Sequence, residues 1–248
     1  MHSRLLRAIG AGFALIVFPV ASALSAQESE LHHALASPDS CARIRQFDID
    51  TLGTRAFVPG LEPTLLLAAA VIGDERIRPI ALRNRSPLLD RIAVGADIIA
   101  TAGHIVPALV LTYAGARVSG KKRFAAATLR VALSYVLADA IEASVKPMVG
   151  RARPELGREP LTFRPFSMNG DFQSFPSAHE VHISSLATAI AVEARRPWVT
   201  ALAAIAMTYV GAQRVYRDQH WTSDVVASGI IGANVARATE QWLHSRRE

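Results

Sequence analysis

Residues 198–243 read WVTALAAIAMTYVGAQRVYRDQHWTSDVVASGIIGANVARATEQWL. Two segments rich in alanine and valine, 198–213 and 224–243, flank a short polar stretch. Their length and apolar content predict two helices joined by a tight turn. The turn contains Arg214, His220 and Asp224, so the residues suited to chemistry are expected at one end of a helix pair.

Similar apolar segments lie at roughly 64–73, 91–115, 124–145 and 180–195. Half of the 248 residues are hydrophobic and only 6% are aromatic, a composition typical of close-packed helices rather than of a β-sandwich. The sequence therefore predicts an all-α fold, a bundle of about six helices with the active site at one end. Residues 63–248 are expected to form a single domain.

The first 26 residues predict export. Arg4 and Arg7 precede an apolar run at 9–20, and small residues at 21–26 offer a cleavage site, the pattern of a signal peptide. An uncleaved membrane anchor is the alternative. Residues 27–62 are mixed and polar and are expected to form a loosely structured lead-in. Cys41 is the single cysteine, which excludes an internal disulfide and a zinc–thiolate site.

A long connection separates two of the apolar segments. Residues 146–176 contain five prolines and no hydrophobic period, and a structureless stretch of that length inside a compact domain is usually functional. Two short motifs lie at its ends, one from Lys146 to Pro154 and one from Pro176 to His179. This loop is expected to feed the active site.

The charge distribution indicates a membrane protein. If the last four helices alternate in direction, the motifs fall at one end and the basic turns near 117–123 and 195–196 fall at the other. This favours an inner-membrane protein with its site facing the periplasm over a soluble periplasmic one, although Asp97 and Arg130 interrupt apolar segments. The net charge of +6 suits phosphoesters or anionic lipid, and no nucleic-acid-binding module is recognisable.

Three basic residues, Lys146, Arg153 and Arg214, lie at the edges of apolar segments. A phosphoryl group in transfer spreads negative charge over its equatorial oxygens, and preorganised cations stabilise that charge. Two arginine forks and one lysine suit such an anion. Each residue alone is equally consistent with a solvated basic side chain, so the prediction requires that the three meet in the fold.

Ser177 and Glu180 have the spacing of a capping box and predict a helix N-terminus. Backbone N–H groups at such an end bind anions. Ser177 is therefore either a phosphate ligand or only the cap of its helix. His179, in the first turn, is expected to protonate a departing alkoxide.

His220 and Asp224 are four residues apart, so a helical turn would place both on one face. A carboxylate on one ring nitrogen would fix the tautomer and leave the other nitrogen to attack phosphorus. The alternative is that Asp224 caps the last helix. No metal site is predicted at His179 and His182, because the zinc-protease pattern requires histidines four apart rather than three.

Together the three segments resemble the type 2 phosphatidic acid phosphatase and vanadium haloperoxidase superfamily. Its signature is K-x-x-x-x-x-x-R-P, then P-S-G-H, then S-R-x-x-x-x-x-H-x-x-x-D. The likeness covers roughly residues 90–243, with the first motif complete and the third complete from Arg214 to Asp224. The sequence departs at Ala178, where the family usually has Gly, and at Gln213, where it often has Ser.

The resemblance implies a role for each matched position. Phosphate oxygens would be held by Lys146, Arg153, Arg214, the Ser177 hydroxyl and the Ala178 backbone N–H. His220 would be the nucleophile, Asp224 would orient it, and His179 would be the general acid. The extra methyl group at position 178 is compatible with this if φ there is negative.

The sequence thus predicts an exported phosphatase without a metal or other cofactor, acting on phosphomonoesters, lipid phosphates or pyrophosphates through a phosphohistidine. With His220 neutral and His179 protonated, its rate is expected to be bell-shaped in pH. Two alternatives share the scaffold: a haloperoxidase with vanadate as cofactor rather than inhibitor, and a non-catalytic envelope protein that binds phosphorylated lipid. Neither an oligomeric state nor a choice between lipid and soluble substrates follows from the sequence.

Overall fold

Seven α-helices make up most of residues 61–245, the part of the chain that this computed structural model describes. They are α1 (Leu61–Arg83), α2 (Pro87–Ala100), α3 (Ala102–Val118), α4 (Lys122–Val149), α5 (Ala178–Ala194), α6 (Pro197–Tyr216) and α7 (Thr222–Ser245). Short 3-10 turns at Pro154–Leu156 and Gly170–Phe172 lie between α4 and α5. The predicted all-α class is confirmed. The signal peptide predicted at 1–26 and nearly all of the lead-in predicted at 27–62 lie outside the described residues.

The single helix predicted at 91–115 is two helices in the structure. The chain breaks at Thr101, whose backbone is extended with φ −83° and ψ 130°, and α2 and α3 meet at an angle of 50°. The Ser86 hydroxyl caps the start of α2 by accepting a hydrogen bond from the Leu89 N–H at 3.3 Å. This division gives seven helices in the described residues rather than about six.

Two helices continue through prolines beyond their predicted ends. α1 continues through Pro79 to Arg83, so the segment predicted at 64–73 is a helix of 23 residues. α4 continues through Pro147 to Val149. A proline in a helix interior costs about 3 kcal/mol, and packing against other helices offsets such a cost in a way that no local pattern shows.

Gly150 ends α4 in the left-handed region, with φ 62°, and its N–H donates to the Lys146 carbonyl oxygen at 3.1 Å. A Cβ atom at this position would lie 1.8 Å from the Arg164 carbonyl oxygen, so the position requires glycine. The long loop therefore begins at 150 rather than at 146. Lys146 consequently lies in the last turn of α4, where the helix fixes its backbone.

The bundle is centred on α5, which contacts α4, α6 and α7. Small residues allow these helices to approach closely: a Cβ on Gly232 of α7 would lie 2.6 Å from the Val181 carbonyl oxygen of α5. A buried apolar cluster joins α2, α5 and α6 and consists of Ala96, Ala100, Ile183 and Val210. The end of α4, the start of α5 and the α6–α7 turn lie at one end of this arrangement.

Two parts of the described chain have the length and composition of membrane-crossing segments. They are α4 and the bent pair formed by α2 and α3. Large apolar side chains are exposed along these helices, among them Leu88, Ile98, Leu111, Leu129 and Val136. An apolar surface of this extent is uncommon where water is the only solvent, and lipid would cover it.

Candidate active site

Three separate segments bring the predicted phosphate ligands together. Lys146 lies in the last turn of α4, Arg153 in the loop that follows, Ser177 and Ala178 at the start of α5, and Arg214 in the last turn of α6. The positive charges of Arg153, Lys146 and Arg214 all act on the imidazole of His220. These three basic residues are called the cation cluster below.

Backbone and side-chain contacts hold the first two members of the cation cluster in place. Lys146 Nζ lies 2.6 Å from the Oε1 atom of buried Glu142, one helical turn earlier. Arg153 donates from Nε to the Gly170 carbonyl oxygen at 2.9 Å and from Nη1 to the Gln219 carbonyl oxygen at 3.1 Å. Arg153 therefore connects the long loop to the turn that carries His220.

Arg214 is buried and is oriented by two side chains. Its Nη2 donates to Asp97 Oδ1 at 2.9 Å, and its Nε donates to Gln213 Oε1 at 2.8 Å. Gln213 Nε2 in turn donates to the same Asp97 oxygen at 3.0 Å. Gln213, which departs from the family pattern, thus supports the guanidinium rather than leaving a gap.

Ser177 does not cap its helix. The residue occupies the N-cap position of α5 without a side-chain cap bond, and Glu180 instead accepts a hydrogen bond from Ser184 Oγ at 3.0 Å. The predicted capping box is therefore not formed. The Ser177 hydroxyl is buried and has no hydrogen-bond partner among the described residues. Such a group is costly unless a ligand satisfies it, and a phosphate oxygen would.

Ala178 is the first residue of α5. Among the described residues, the non-glycine positions with positive φ are Phe166, Arg195 and Asp218. The backbone at 178 therefore does not require glycine, and the extra methyl group is compatible with the N–H of this residue facing an anion.

His220 is buried, and its Nδ1 lies 2.6 Å from the Ser174 carbonyl oxygen. A carbonyl oxygen can only accept a hydrogen bond, so this contact assigns the proton to Nδ1. The lone pair is then on Nε2. This is the tautomer that a histidine nucleophile needs.

The predicted direct contact between Asp224 and His220 is wrong. Asp224 Oδ2 lies 4.0 Å from His220 Nδ1, because the Ser174 carbonyl oxygen occupies that position. Asp224 Oδ2 instead accepts from Ser174 Oγ at 2.5 Å and from the Trp221 N–H at 3.0 Å. Asp224 thus positions His220 indirectly, and its bond to Trp221 closes the start of α7 as a capping residue would.

Arg151 is buried between two carboxylates that come from different helices. Its Nη2 lies 2.8 Å from Asp74 Oδ2, and its Nη1 lies 2.5 Å from Asp224 Oδ1. Asp74 also accepts the Ser223 N–H at 2.8 Å, at the start of α7. We call Asp74, Arg151 and Asp224 the buried triad. It ties α1, the long loop and α7 together behind His220.

His179 lies at the start of α5, with 27% of its side chain exposed. Its Nε2 is 3.4 Å from Thr101 Oγ1 and 3.8 Å from Asp97 Oδ1. Burial and then the charge of Arg214 lower the pKa of His179 to about 4, although Asp97 acts in the opposite direction. The ligand-free imidazole is therefore neutral at neutral pH, whereas the predicted role of general acid requires the protonated form. A bound phosphoryl dianion would favour the proton.

Burial, and then the charges of Arg153, Lys146 and Arg214, also lower the pKa of His220 well below its ordinary value. In the ligand-free protein we therefore expect the NMR titration of His220 to have its midpoint below the ordinary histidine value. Arg153→Gln should raise that midpoint, because a positive charge that disfavours the imidazolium is removed. A wild-type midpoint at the ordinary histidine value, unchanged by Arg153→Gln, would show that the cations do not face this ring.

His182 takes part in helix packing. Its Nε2 lies 2.6 Å from Asp139 Oδ1 and its Nδ1 lies 3.2 Å from the Ala100 carbonyl oxygen, while the Tyr135 ring packs at 5.0 Å between centroids. Within residues 61–245, no three His, Cys, Asp or Glu side chains are grouped as metal ligands would be.

Sequence reasoning missed four residues that shape the site. They are Asp74, Asp97, Arg151 and Ser174, and each acts through a partner at least 46 residues away. Asp97 carried a usable signal, since a carboxylate inside an apolar segment needs a partner. Ser174 acts on His220 through its backbone carbonyl, which no side-chain pattern reveals.

Comparison with known proteins points to the same superfamily that the three motifs resemble. The sequence model of the PAP2 superfamily matches residues 127–248. A lipid A 1-phosphatase of Rhizobium johnstonii is 34% identical over 91 residues, 36% of this chain and 36% of that protein. A lipid A 4'-phosphatase of Bacteroides thetaiotaomicron is 29% identical over 115 residues, 42% of this chain and 51% of that protein. The chain spans about a third to a half of the length of these curated relatives.

The fold also matches a solved structure. A transmembrane PAP2 type phosphatidylglycerolphosphate phosphatase from Bacillus subtilis aligns with a TM-score of 0.59, over 75% of this chain and 96% of that one. At 20% identity, this similarity supports the fold alone. Residues 127–248, which contain all three motifs, match the sequence model of the PAP2 superfamily, and the fold agrees with that match.

Proposed function

We propose that this protein is a membrane-embedded phosphatase that removes phosphate from phosphomonoesters, lipid phosphates or pyrophosphates through a phosphohistidine at His220, without a metal ion. One observation carries the proposal: an imidazole with its proton on Nδ1 lies among three cations. The names of the relatives, two lipid A phosphatases and a phosphatidylglycerolphosphate phosphatase, favour a lipid substrate.

In the first step, His220 Nε2 attacks phosphorus as the bond from phosphorus to the leaving oxygen breaks. The cation cluster, the Ser177 hydroxyl and the Ala178 N–H stabilise the charge on the equatorial oxygens. The leaving oxygen takes the electron pair of the broken bond and a proton from His179, which acquires that proton once the anionic substrate is bound. The products are a phosphohistidine and an alcohol, or a phosphohistidine and a phosphomonoester when the substrate is a pyrophosphate.

In the second step, water attacks the phosphorus of the phosphohistidine while His179, now neutral, takes a proton from that water. The P–N bond breaks and its electron pair returns to His220 Nε2. Inorganic phosphate leaves, and both histidines regain their starting states. The proton stays on His220 Nδ1 throughout and is donated to the Ser174 carbonyl oxygen, so the nucleophilic nitrogen does not change.

The membrane placement follows from the exposed apolar helices. We propose that α4 and the bent α2–α3 pair lie in the bilayer, with the cation cluster at the membrane end that faces the periplasm. The opposite end carries Lys121, Lys122 and Arg123 at the start of α4 and Arg195 and Arg196 after the end of α5. Basic residues of this kind favour the cytoplasmic side.

Phosphate release from p-nitrophenyl phosphate and from monomeric dioctanoyl phosphatidic acid tests the proposal on the full chain in detergent. We expect hydrolysis of at least one substrate in the presence of EDTA, and inhibition by vanadate, which resembles five-coordinate phosphorus. Loss of activity with EDTA and recovery with a divalent cation would contradict the metal-free mechanism. Vanadate-dependent oxidation of halide by peroxide, without phosphate release, would instead support a haloperoxidase.

A further inference from the structure

Four large apolar side chains of the long loop are exposed. They are Leu161, Phe163, Phe166 and Met168, and the exposed fractions of the last two reach 77% and 81%. Burial of such side chains is the usual source of loop stability, and single exposed ones are common. Four within eight residues, beside a proposed active site, call for an apolar partner.

Hydrogen bonds of the backbone fix this loop. The Arg164 N–H donates to the Gly150 carbonyl oxygen at 2.7 Å, and the Ala152 N–H donates to the Thr162 carbonyl oxygen at 2.9 Å. The Ser167 hydroxyl accepts the Asn169 N–H at 3.3 Å. The apolar side chains are therefore displayed by an ordered backbone and have no internal core to fill.

The same loop is joined to the cation cluster. Arg153 donates from its N–H to the Asp171 carbonyl oxygen and from Nε to the Gly170 carbonyl oxygen, both at 2.9 Å. Leu161, at the other end of the apolar run, shares a groove of about 260 Å³ with Val71, Ile72, Glu75, Glu159 and Pro160. One loop therefore carries both Arg153 of the cation cluster and the exposed apolar side chains.

We propose that Phe163, Phe166 and Met168 bind the hydrocarbon chains of a lipid phosphomonoester whose phosphate lies at the cation cluster. This rests on the proposed function and narrows its substrates to amphiphiles. An anionic head beside an apolar tail matches the two adjoining surfaces, whereas a sugar phosphate would leave the apolar one uncovered. Selectivity of this kind arises from the side chains of the loop and leaves the chemistry to His220 and His179.

The full chain carrying Phe166→Asn and Met168→Ser tests the proposal. Asparagine tolerates the positive φ of 60° at position 166, so the backbone conformation of the loop is expected to be unchanged. The ratio of kcat/KM on monomeric dioctanoyl phosphatidic acid to kcat/KM on p-nitrophenyl phosphate should fall about tenfold, equivalent to about 1.4 kcal/mol. The matched control is Val118→Ser with Trp198→Ser, since both residues are exposed at the far end of the bundle.

An unchanged ratio, or an equal change in the control, would overturn the proposal and leave the phosphatase assignment intact. A fall seen only with lipid in vesicles, and not with monomeric lipid, would assign the loop to the bilayer rather than to the substrate and would also overturn it. If the wild-type protein released phosphate from neither compound, the proposed function itself would fail.

Discussion

His220→Ala is expected to reduce phosphate release to the assay background, a loss of about 10⁴-fold or more. Alanine removes the nitrogen that attacks phosphorus, and no other described imidazole shares its position among the three cations. The fold should survive, because the lost hydrogen bond to the Ser174 carbonyl oxygen is one contact in a turn also held by Asp224. Circular dichroism and thermal melting would confirm that the variant is folded.

His104→Ala is the matched control for this variant. His104 is exposed on α3 and belongs to none of the three motifs, and its replacement should leave activity near that of the wild type. Substantial turnover by purified, folded His220→Ala would show that the nucleophile lies elsewhere.

Arg151→Met is expected to lower the free energy of unfolding by about 3–5 kcal/mol, because it leaves two buried carboxylates of the buried triad without a cation. For a domain of this size the melting temperature should fall by about 10 °C. Activity should fall as well, since Asp224 holds the Ser174 hydroxyl at 2.5 Å and Ser174 holds His220. Adding Asp74→Asn to Arg151→Met should restore part of the lost stability, as one of the two charges is removed.

Arg158→Met is the control for the buried triad. Arg158 lies in the same loop but is exposed and contacts the Phe172 ring at 5.8 Å, so its replacement should change stability by less than about 0.5 kcal/mol. If Arg151→Met melted at the temperature of the wild type, the proposed role of the triad in supporting the site would be wrong.

The sequence was most informative where local rules act. Apolar content predicts the helices, and Gly150 and the start of α5 lie close to the predicted ends of the long loop. The rules fail at Pro79 and Pro147, which α1 and α4 pass through. They also fail at Thr101, an extended residue that is neither glycine nor proline and yet divides an apolar run. In these cases tertiary packing overrides local preference.

In the candidate site, too, some features could be predicted from the local sequence and others depend on tertiary contacts. The three motifs predicted which residues meet at one end of the bundle, because their spacing reflects the chemistry of the phosphoryl group. The contacts that orient them could not be predicted: Asp97 reaches Arg214 from 117 residues away, and Ser174 reaches His220 through a main-chain oxygen. Contacts between residues so far apart in the chain cannot be predicted from a local sequence pattern.

The central claim is that His220 carries the phosphoryl group between the two steps. Rapid quenching of the full chain with a substrate labelled in its phosphoryl group, followed by peptide mapping, tests it directly. The account predicts an acid-labile, base-stable label on the peptide containing His220, formed at least as fast as turnover and absent from His220→Ala. Continued turnover without labelled protein, or a label on another residue, would contradict it.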